Sequence, residues 1–401
     1  MTPLRAAALV LALPALAAPA PAAAQGPPPV PGAQAAIVVD GRDGEVMFAK
    51  RAAQRRPIAS TTKLMTALLT LEGARPRKLL PAADYVPAPV ESQIGLGPGE
   101  RMTVIDLLEA LLLESANDAA AALADGIAGT REAFVERMNA RAAELGLEDT
   151  SYANPIGFDD PANYSTAADL AALAIELLGR PRFARIVDLP AAELESGLRP
   201  RLIGNRNALV DDHPFVSGVK TGHTLGAGYV LVGAAEGRGG ARVVSVVLGE
   251  PSEAARDADT LALLRWGLSR FRRVRAVERA RALPRPAIEY REERVKLVPA
   301  RRALVTVRAG ERLSRRIRAP KEVSGPLAKG ERVGSVTVIV DGRTVRRVAL
   351  VTAAAVPAAG TLRVLLAEAG APLTVLLALA ILVGCVFLVV RRRVRVRLVK
   401  R

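Results

Sequence analysis

What this chain lacks narrows its chemistry before any motif is read. It has one cysteine in 401 residues, Cys385, inside an apolar run near the C-terminus. The rest of the chain therefore holds no disulfide and offers no thiolate as nucleophile or metal ligand. Only two histidines are present, His213 and His223. Two are too few for a typical zinc-peptidase site, and neither is placed for a Ser-His-Asp triad. No long internal repeat is visible, and no metal or other cofactor is expected. Negative charge is also scarce, with 40 acidic residues against 56 basic ones and a formal net charge of +16.

Part of that charge is topology. Arg5 followed by the apolar run Ala6–Ala18 and by Ala22-Ala23-Ala24 reads as a signal peptide over 1–24, broken by Pro14 and too short for an anchor. Leu373–Val390 is almost unbroken apolar sequence, and a span over 371–390 is long enough to cross a bilayer as a helix. Seven basic residues follow from Arg391 to Arg401, which the positive-inside rule keeps in the cytoplasm. The expectation is a cell-membrane protein with its bulk outside, held by a single C-terminal helix. A basic tail adjoining a span is not a nucleic-acid-binding segment, so no nucleic acid is expected. Removing that tail and Arg5 leaves a body near +8, which suits an anionic envelope and identifies no substrate.

Three short motifs carry the chemistry. Ser60-Thr61-Thr62-Lys63 opens a helical pattern with Leu64, Met65, Leu68 and Leu69 on one face. Three residues apart, Ser60 and Lys63 lie one turn from each other, which puts an amine beside a hydroxyl. A serine needs a base to become a nucleophile, and a lysine is a base only when burial and a second cation keep it neutral. Ser-x-x-Lys alone is weak evidence. Ser115-Ala116-Asn117 and Lys220-Thr221-Gly222 follow in the order that serine acyl-transferring enzymes of this kind require. Ser60 is thus the expected nucleophile and Lys63 its base, with Ser115 relaying a proton to the leaving amine and Asn117 holding a peptide bond. Lys220 is expected at a strand end, keeping Lys63 neutral and attracting a carboxylate; Thr221 adds a hydroxyl and Gly222 lets an extended substrate approach. The N–H groups of Ser60 and His223 are the expected oxyanion hole.

The surrounding pattern predicts an α/β (α+β) fold, an antiparallel sheet covered by helices. Strands are expected at 35–40, 45–49, 216–220, 229–234 and 242–248, with helices at 104–113, 119–128, 133–145, 167–178 and 257–271. After a linker at 25–33, the catalytic domain runs over 34–273. Helical periodicity then ceases, and a small all-β domain over 284–352 follows, read as a rigid spacer, with strands at 295–298, 303–307, 333–340 and 345–351. Asp341-Gly342 marks its last hairpin. A linker at 353–370, the span at 371–390 and the tail at 391–401 complete the chain.

The sequence resembles the low-molecular-mass penicillin-binding proteins that act as D-alanyl-D-alanine carboxypeptidases. The likeness covers about 34–271 and is close at Lys220-Thr221-Gly222-His223-Thr224 and Ala227-Gly228-Tyr229. Tyr152-Ala153-Asn154-Pro155-Ile156-Gly157, Asn205-Arg206-Asn207 and Leu264-Arg265-Trp266-Gly267 also look like family signatures, as does Ala328-Lys329-Gly330-Glu331 before the last hairpin. The resemblance implies removal of the terminal D-alanine from peptidoglycan pentapeptides through a serine acyl-enzyme, and covalent inhibition by β-lactams. It also places Arg256 near the substrate carboxylate, with a surface cation as the competing reading. Well-known members end in an amphipathic helix on the membrane, whereas this chain is expected to cross it. The alternatives are a β-lactamase or DD-endopeptidase on the same fold, or an inactive wall-peptide binder. The first lacks a clear glutamate for deacylation, and the last has no need of the full acyl-transfer set.

Overall fold

The computed structural model describes residues 26, 28–29, 31–278 and 283–398; within the last helix the side chains of 362–363, 365–374 and 392–398 are not described. The expected signal peptide lies outside the described residues. The chain falls into two compact units that meet in sequence at Arg272 and Arg273.

The first unit is built on a five-stranded antiparallel sheet, in the order Val46–Lys50, Ala35–Asp40, Ala241–Glu250, Gly228–Gly237, Val216–Thr224. The earliest strand closes against a late one, with Ile37 opposite Val246 and Val39 opposite Val244. Strand side chains alternate between faces, and here the two sets enter different cores. Ile37, Val39, Val244, Val246, Val230 and Val232 join Leu64, Leu68 and Leu170 from the helices of the middle of the chain. Ala36, Val38, Val243, Val247 and Leu231 pack instead with Leu263 and Leu264 of the helix Glu253–Ser269. Both faces are covered, which is why Ala35–Asp40 is apolar throughout rather than alternating.

The helices are Lys63–Gly73, Val104–Glu109, Asn117–Ala128, Arg131–Glu144, Ala167–Leu178, Pro181–Val187 and the single turn Leu209–Asp212, besides Glu253–Ser269. Their starts follow local chemistry. Thr103, Thr130, Thr166 and Ser252 each accept a backbone N–H three residues on, satisfying donors that a helix leaves open. The Pro181–Val187 helix and the hairpin Ala191–Leu194/Arg201–Gly204 are unheralded in the sequence, both being short.

In the second unit a four-stranded sheet runs in the order Leu297–Pro299, Arg343–Thr352, Arg332–Val340, Leu313–Arg318. Its inner face carries Val336, Val338, Val348 and Leu350. Asp341 and Gly342 both have positive φ, +43° and +81°, as a tight two-residue hairpin turn demands. The strand Leu313–Arg318 is the one the sequence hides, since only Leu313 and Ile317 are apolar. From Thr361 to Leu398 the chain is one helix, along which the apolar side chains from Val375 to Val390 are exposed. Among the described residues no helix is long and apolar enough to cross a membrane. The side chains of 371–374, which complete the expected span, lie outside the described residues.

Candidate active site

Ser60 sits in a single 3₁₀ turn, Ala59–Thr62, which leads into the helix starting at Lys63. In a 3₁₀ turn residues i and i+3 eclipse, and Lys63 Nζ lies 3.0 Å from Ser60 Oγ. The turn depends on two glycines. A Cβ on Gly157 would stand 2.1 Å from the Ala59 carbonyl oxygen, and one on Gly222 would stand 2.9 Å from the Ser60 nitrogen. Gly157 also has φ +104°, a conformation other residues rarely adopt.

Lys63 has no exposed surface. Its ammonium reaches three oxygens: Ser60 Oγ, Asn117 Oδ1 at 2.7 Å and the Ile156 carbonyl at 2.7 Å. The last two are acceptors only, whereas the serine hydroxyl can also donate. A neutral Lys63 therefore spends its two N–H bonds on Asn117 and Ile156 and turns its lone pair to Ser60. Burial, followed by the charge of Lys220, pushes the Lys63 amine well below its usual lysine value, while Glu91 and Asp118 oppose that shift. The Ile156 carbonyl is aimed by Asn154, whose Oδ1 accepts from the N–H groups of Ile156, Gly157 and Phe158.

The second motif follows a π-turn over Ala110–Glu114 that ends at Ser115 in the left-handed region, φ +64°. Asn117 then begins a helix rather than sitting in an open loop. The Ser115 hydroxyl makes no hydrogen bond among the described residues. Asn117 has both ends engaged: Oδ1 accepts from Lys63 and Nδ2 donates to Glu91 Oε2 at 2.7 Å. Glu91 in turn accepts from the Tyr85 hydroxyl and from Ala88 N–H. Asp118 gathers the N–H groups of Ile94, Gly95 and Leu96, fixing the loop that carries Glu91 against the site.

The third motif lies inside a strand that runs on to Thr224, not at a strand end as the sequence suggested. Lys220 and Thr221 are buried, and Lys220 Nζ donates to the Thr221 carbonyl at 3.1 Å. Burial, then the charges of Arg206 and Arg256, push Lys220 down to about 7. Arg206 is held by a 2.6 Å ion pair to Glu114, beside Ser115. Arg256 is buried, with its guanidinium paired to Glu253 at 2.8 Å and Asp257 at 2.8 Å. It is no surface cation, and it bears on Lys220 through its field. His223 is exposed and stacks on Tyr229, ring centroids 4.0 Å apart. Asp159 closes the turn beyond, accepting from Thr224 Oγ1 and Gly226 N–H.

Sequence reasoning named the three motifs and missed part of what aims them: Glu91, Tyr85 and Asp118 were given no part, while Arg206 and Ile156 were quoted only within signature stretches, without a role. Glu91 and Tyr85 sit in an irregular stretch with no periodicity to mark them, and a carbonyl has no side-chain signal at all. A cavity of about 840 Å³ bounded by residues such as Arg42, Arg185, Phe215 and Arg242 shares none of these groups and is not the catalytic cleft.

Comparison with known proteins follows the same division of the chain. The D-alanyl-D-alanine carboxypeptidase family model matches residues 22–252, and that of the penicillin-binding protein 5 C-terminal domain matches 287–358. The D-alanyl-D-alanine carboxypeptidase DacF of Bacillus subtilis is 30% identical over 77% of this chain and 82% of its own. DacA of Haemophilus influenzae is 31% identical over 79% and 84%. Among solved structures, penicillin binding protein 5 from Haemophilus influenzae is similar with a TM-score of 0.59 at 29% identity, covering 83% of this chain and 99% of that one. The Streptomyces K15 DD-transpeptidase gives 0.58 at 32% identity, over 61% of this chain and all of its own.

Proposed function

The chain belongs to the D-alanyl-D-alanine carboxypeptidase family, and from that premise we propose that it removes the terminal D-alanine of peptidoglycan pentapeptides through an ester on Ser60. Neutral Lys63 takes the Ser60 proton as Oγ attacks the carbonyl carbon of the penultimate D-alanine. The N–H groups of Ser60 and His223 bind the oxyanion. The proton passes by way of Ser115 to the amide nitrogen, and free D-alanine leaves as the C–N bond breaks. Water then attacks the ester, gives its proton to Lys63, and the tetrapeptide departs as Ser60 is restored. Asn117 holds the peptide bond before scission. Lys220 and Thr221 hold the terminal carboxylate, whose arrival raises the Lys220 pKa and keeps its charge; Arg256 supports that carboxylate site electrostatically. β-Lactams enter the same path and stop at the ester.

The observation that carries this reading is the fully buried Lys63 amine 3.0 Å from Ser60 Oγ, its other two contacts being pure acceptors. Ser60→Ala should abolish both D-alanine release from pentapeptide and the penicillin adduct seen by intact mass. A stable penicillin adduct on that variant would remove Ser60 as the nucleophile.

We also infer that the protein is exported and crosses the membrane once near its C-terminus, with the β-unit as spacer. The apolar side chains from Val375 to Val390 stand exposed along one helix and Arg391 follows them. With 371–374 added, the helix reaches about 30 Å at 1.5 Å per residue, the thickness of a hydrocarbon core.

A further inference from the structure

The outer face of the four-stranded sheet in the second unit has a composition that a passive spacer does not need. Arg316 stands opposite Thr337, and Thr337 opposite Arg347, so two arginines flank a small residue across three strands. Arg318 opposes Ser335 in the next row on that face, and Arg332 opposes Val351. All four arginines are exposed. Arg301, Arg332 and Arg347 also border a concavity of about 380 Å³ completed by Ala300 and Ala349, with no acidic residue in its lining. Among the described residues none of these five arginines has an ion pair. Among the same residues some other arginines are matched, as Arg42 is with Asp40, Arg201 with Glu100 and Arg206 with Glu114, while isolated ones such as Arg75 and Arg199 are not. What sets this face apart is the clustering of its unmatched arginines.

We propose that this sheet face is a phosphate-binding surface that docks on the headgroups of an anionic phospholipid bilayer. Unmatched guanidinium forks on a flat face fit phosphates, which accept two parallel N–H bonds from each. The spacing suits an array of headgroups: two strand intervals put Arg316 and Arg347 about 10 Å apart, and Arg316 and Arg318 are about 7 Å apart along one strand. Chain connectivity selects the bilayer over a free polyanion. Only residues 353–360 separate the last strand from the helix starting at Thr361, so the sheet stays within about 31 Å of where that helix begins, and ten helical residues, about 15 Å, lead from there to the span at 371. The choice of occupant rests on reading that helix as membrane-embedded.

The test uses the chain ended after Gly360, so failure of docking and failure of the helix reading are separable. A body of that extent is expected to fold, since the solved Haemophilus influenzae chain is matched over 99% of its length by 83% of this one. Sedimentation is measured with vesicles of phosphatidylcholine alone and with added phosphatidylglycerol. Binding should require phosphatidylglycerol and should be lost between about 0.1 M and 1 M salt as screening shortens from about 10 Å to 3 Å. Each arginine at an anionic surface contributes roughly a five-fold gain, so Arg316→Gln, Arg318→Gln, Arg332→Gln and Arg347→Gln together should weaken binding 10²- to 10³-fold. Melting temperature and penicillin acylation should be unchanged. The control removes Arg75, Arg77, Arg199 and Arg238, exposed on the catalytic unit, by the same change to Gln. An equal loss in the control reduces the effect to net charge and overturns the proposal. So does phosphatidylglycerol-independent binding, or tight binding to soluble polyphosphate without binding to vesicles.

Discussion

The pH dependence of acylation separates the two buried lysines, because the chemistry asks opposite things of them. Lys63 must be neutral to take a proton and Lys220 charged to hold a carboxylate. The second-order rate of acylation reports the free enzyme, where Lys220 is pushed down to about 7. Lys63 lies well below its ordinary value, moved by burial and by Lys220 itself. The profile should therefore be a bell, its lower limb set by loss of the Lys63 proton and its upper limb falling above about 7 as Lys220 loses its own. Each further unit of pH removes nine-tenths of the remaining Lys220 charge, so by about pH 9 the rate should be roughly 10²-fold below its maximum.

Arginine substitutions decide the matter. A guanidinium stays charged at any accessible pH. Lys220→Arg should thus abolish the alkaline limb and leave the acid limb where Lys63 puts it, with some loss of rate from fitting a larger group into a buried site. Lys63→Arg keeps the charge and loses the base, so its rate should fall by about 10²–10⁴-fold or more across the whole range. The assay is the appearance of the penicillin adduct by intact mass from about pH 5 to 9, with folding checked by thermal melting. If a well-folded Lys220→Arg protein keeps the wild-type alkaline limb, Lys220 is not the titrating cation. Equal residual rates in the two variants would mean that the base is wrongly assigned.

Other outcomes follow from the same geometry. Lys220→Met should abolish turnover yet stabilise the fold at neutral pH by an amount on the order of a few kcal/mol, read from denaturant melts. The sign comes from linkage: a lysine lowered to about 7 in the fold and near 10.4 unfolded binds more protons unfolded, so wild-type stability rises between those pH values and the Met variant's should rise less. Glu91→Gln should cost about ten-fold in acylation, the order expected for a charge-assisted hydrogen bond, and move the acid limb to lower pH because Glu91 holds the Lys63 pKa up; an unmoved limb would make Glu91 a loop anchor only. Gly157→Ala should melt lower or fail to acylate, since its Cβ has no room beside Ala59; full activity at unchanged melting temperature would contradict the packing. Ending the chain after Gly360 should give an active protein that high salt frees from membranes, and one that still resists high salt would point to another anchor.

Legibility from sequence depended on whether a signal was periodic or positional. The strand Ala35–Asp40 and the helix Ala167–Leu178 match their expected limits because apolar pattern and end signals agree there, with Thr166 capping the helix. The strand Leu313–Arg318 was invisible because Arg316 and Arg318 face solvent and Arg315 takes an inward position between Leu313 and Ile317, which leaves two apolar residues as evidence. Lys220 was placed at a strand end because the β-branched, apolar pattern of 216–220 stops there. Thr221, Gly222, His223 and Thr224 remain strand because pairing with Gly228–Gly237 continues, Gly222 opposite Val230 and Thr224 opposite Gly228. The motif residues could be found by type and spacing. Their supports could not, for Glu91 reaches Asn117 from a loop 26 residues away in sequence.

Those supports explain how a site with no histidine in the base position runs acid–base chemistry near neutrality. A lysine in water is protonated and useless as a base. Taking it out of water lowers its pKa, and so does a second cation nearby. This chain does both, yet the second cation is itself buried and would also lose its proton. Lys220 is pressed by Arg206 and Arg256, two guanidinium groups that cannot titrate, each kept in place by its own carboxylates, Glu114 for one and Glu253 with Asp257 for the other. The carboxylate of the substrate is then what restores the Lys220 charge, and that charge in turn favours a neutral Lys63. Substrate arrival and activation of the base are coupled in this arrangement. A β-lactam, which carries a carboxylate, should acylate faster than a neutral ester analogue of the same ring, and the gap should narrow above about pH 7, where the free enzyme has lost the Lys220 proton that holds the carboxylate. A gap that does not change with pH would break the coupling.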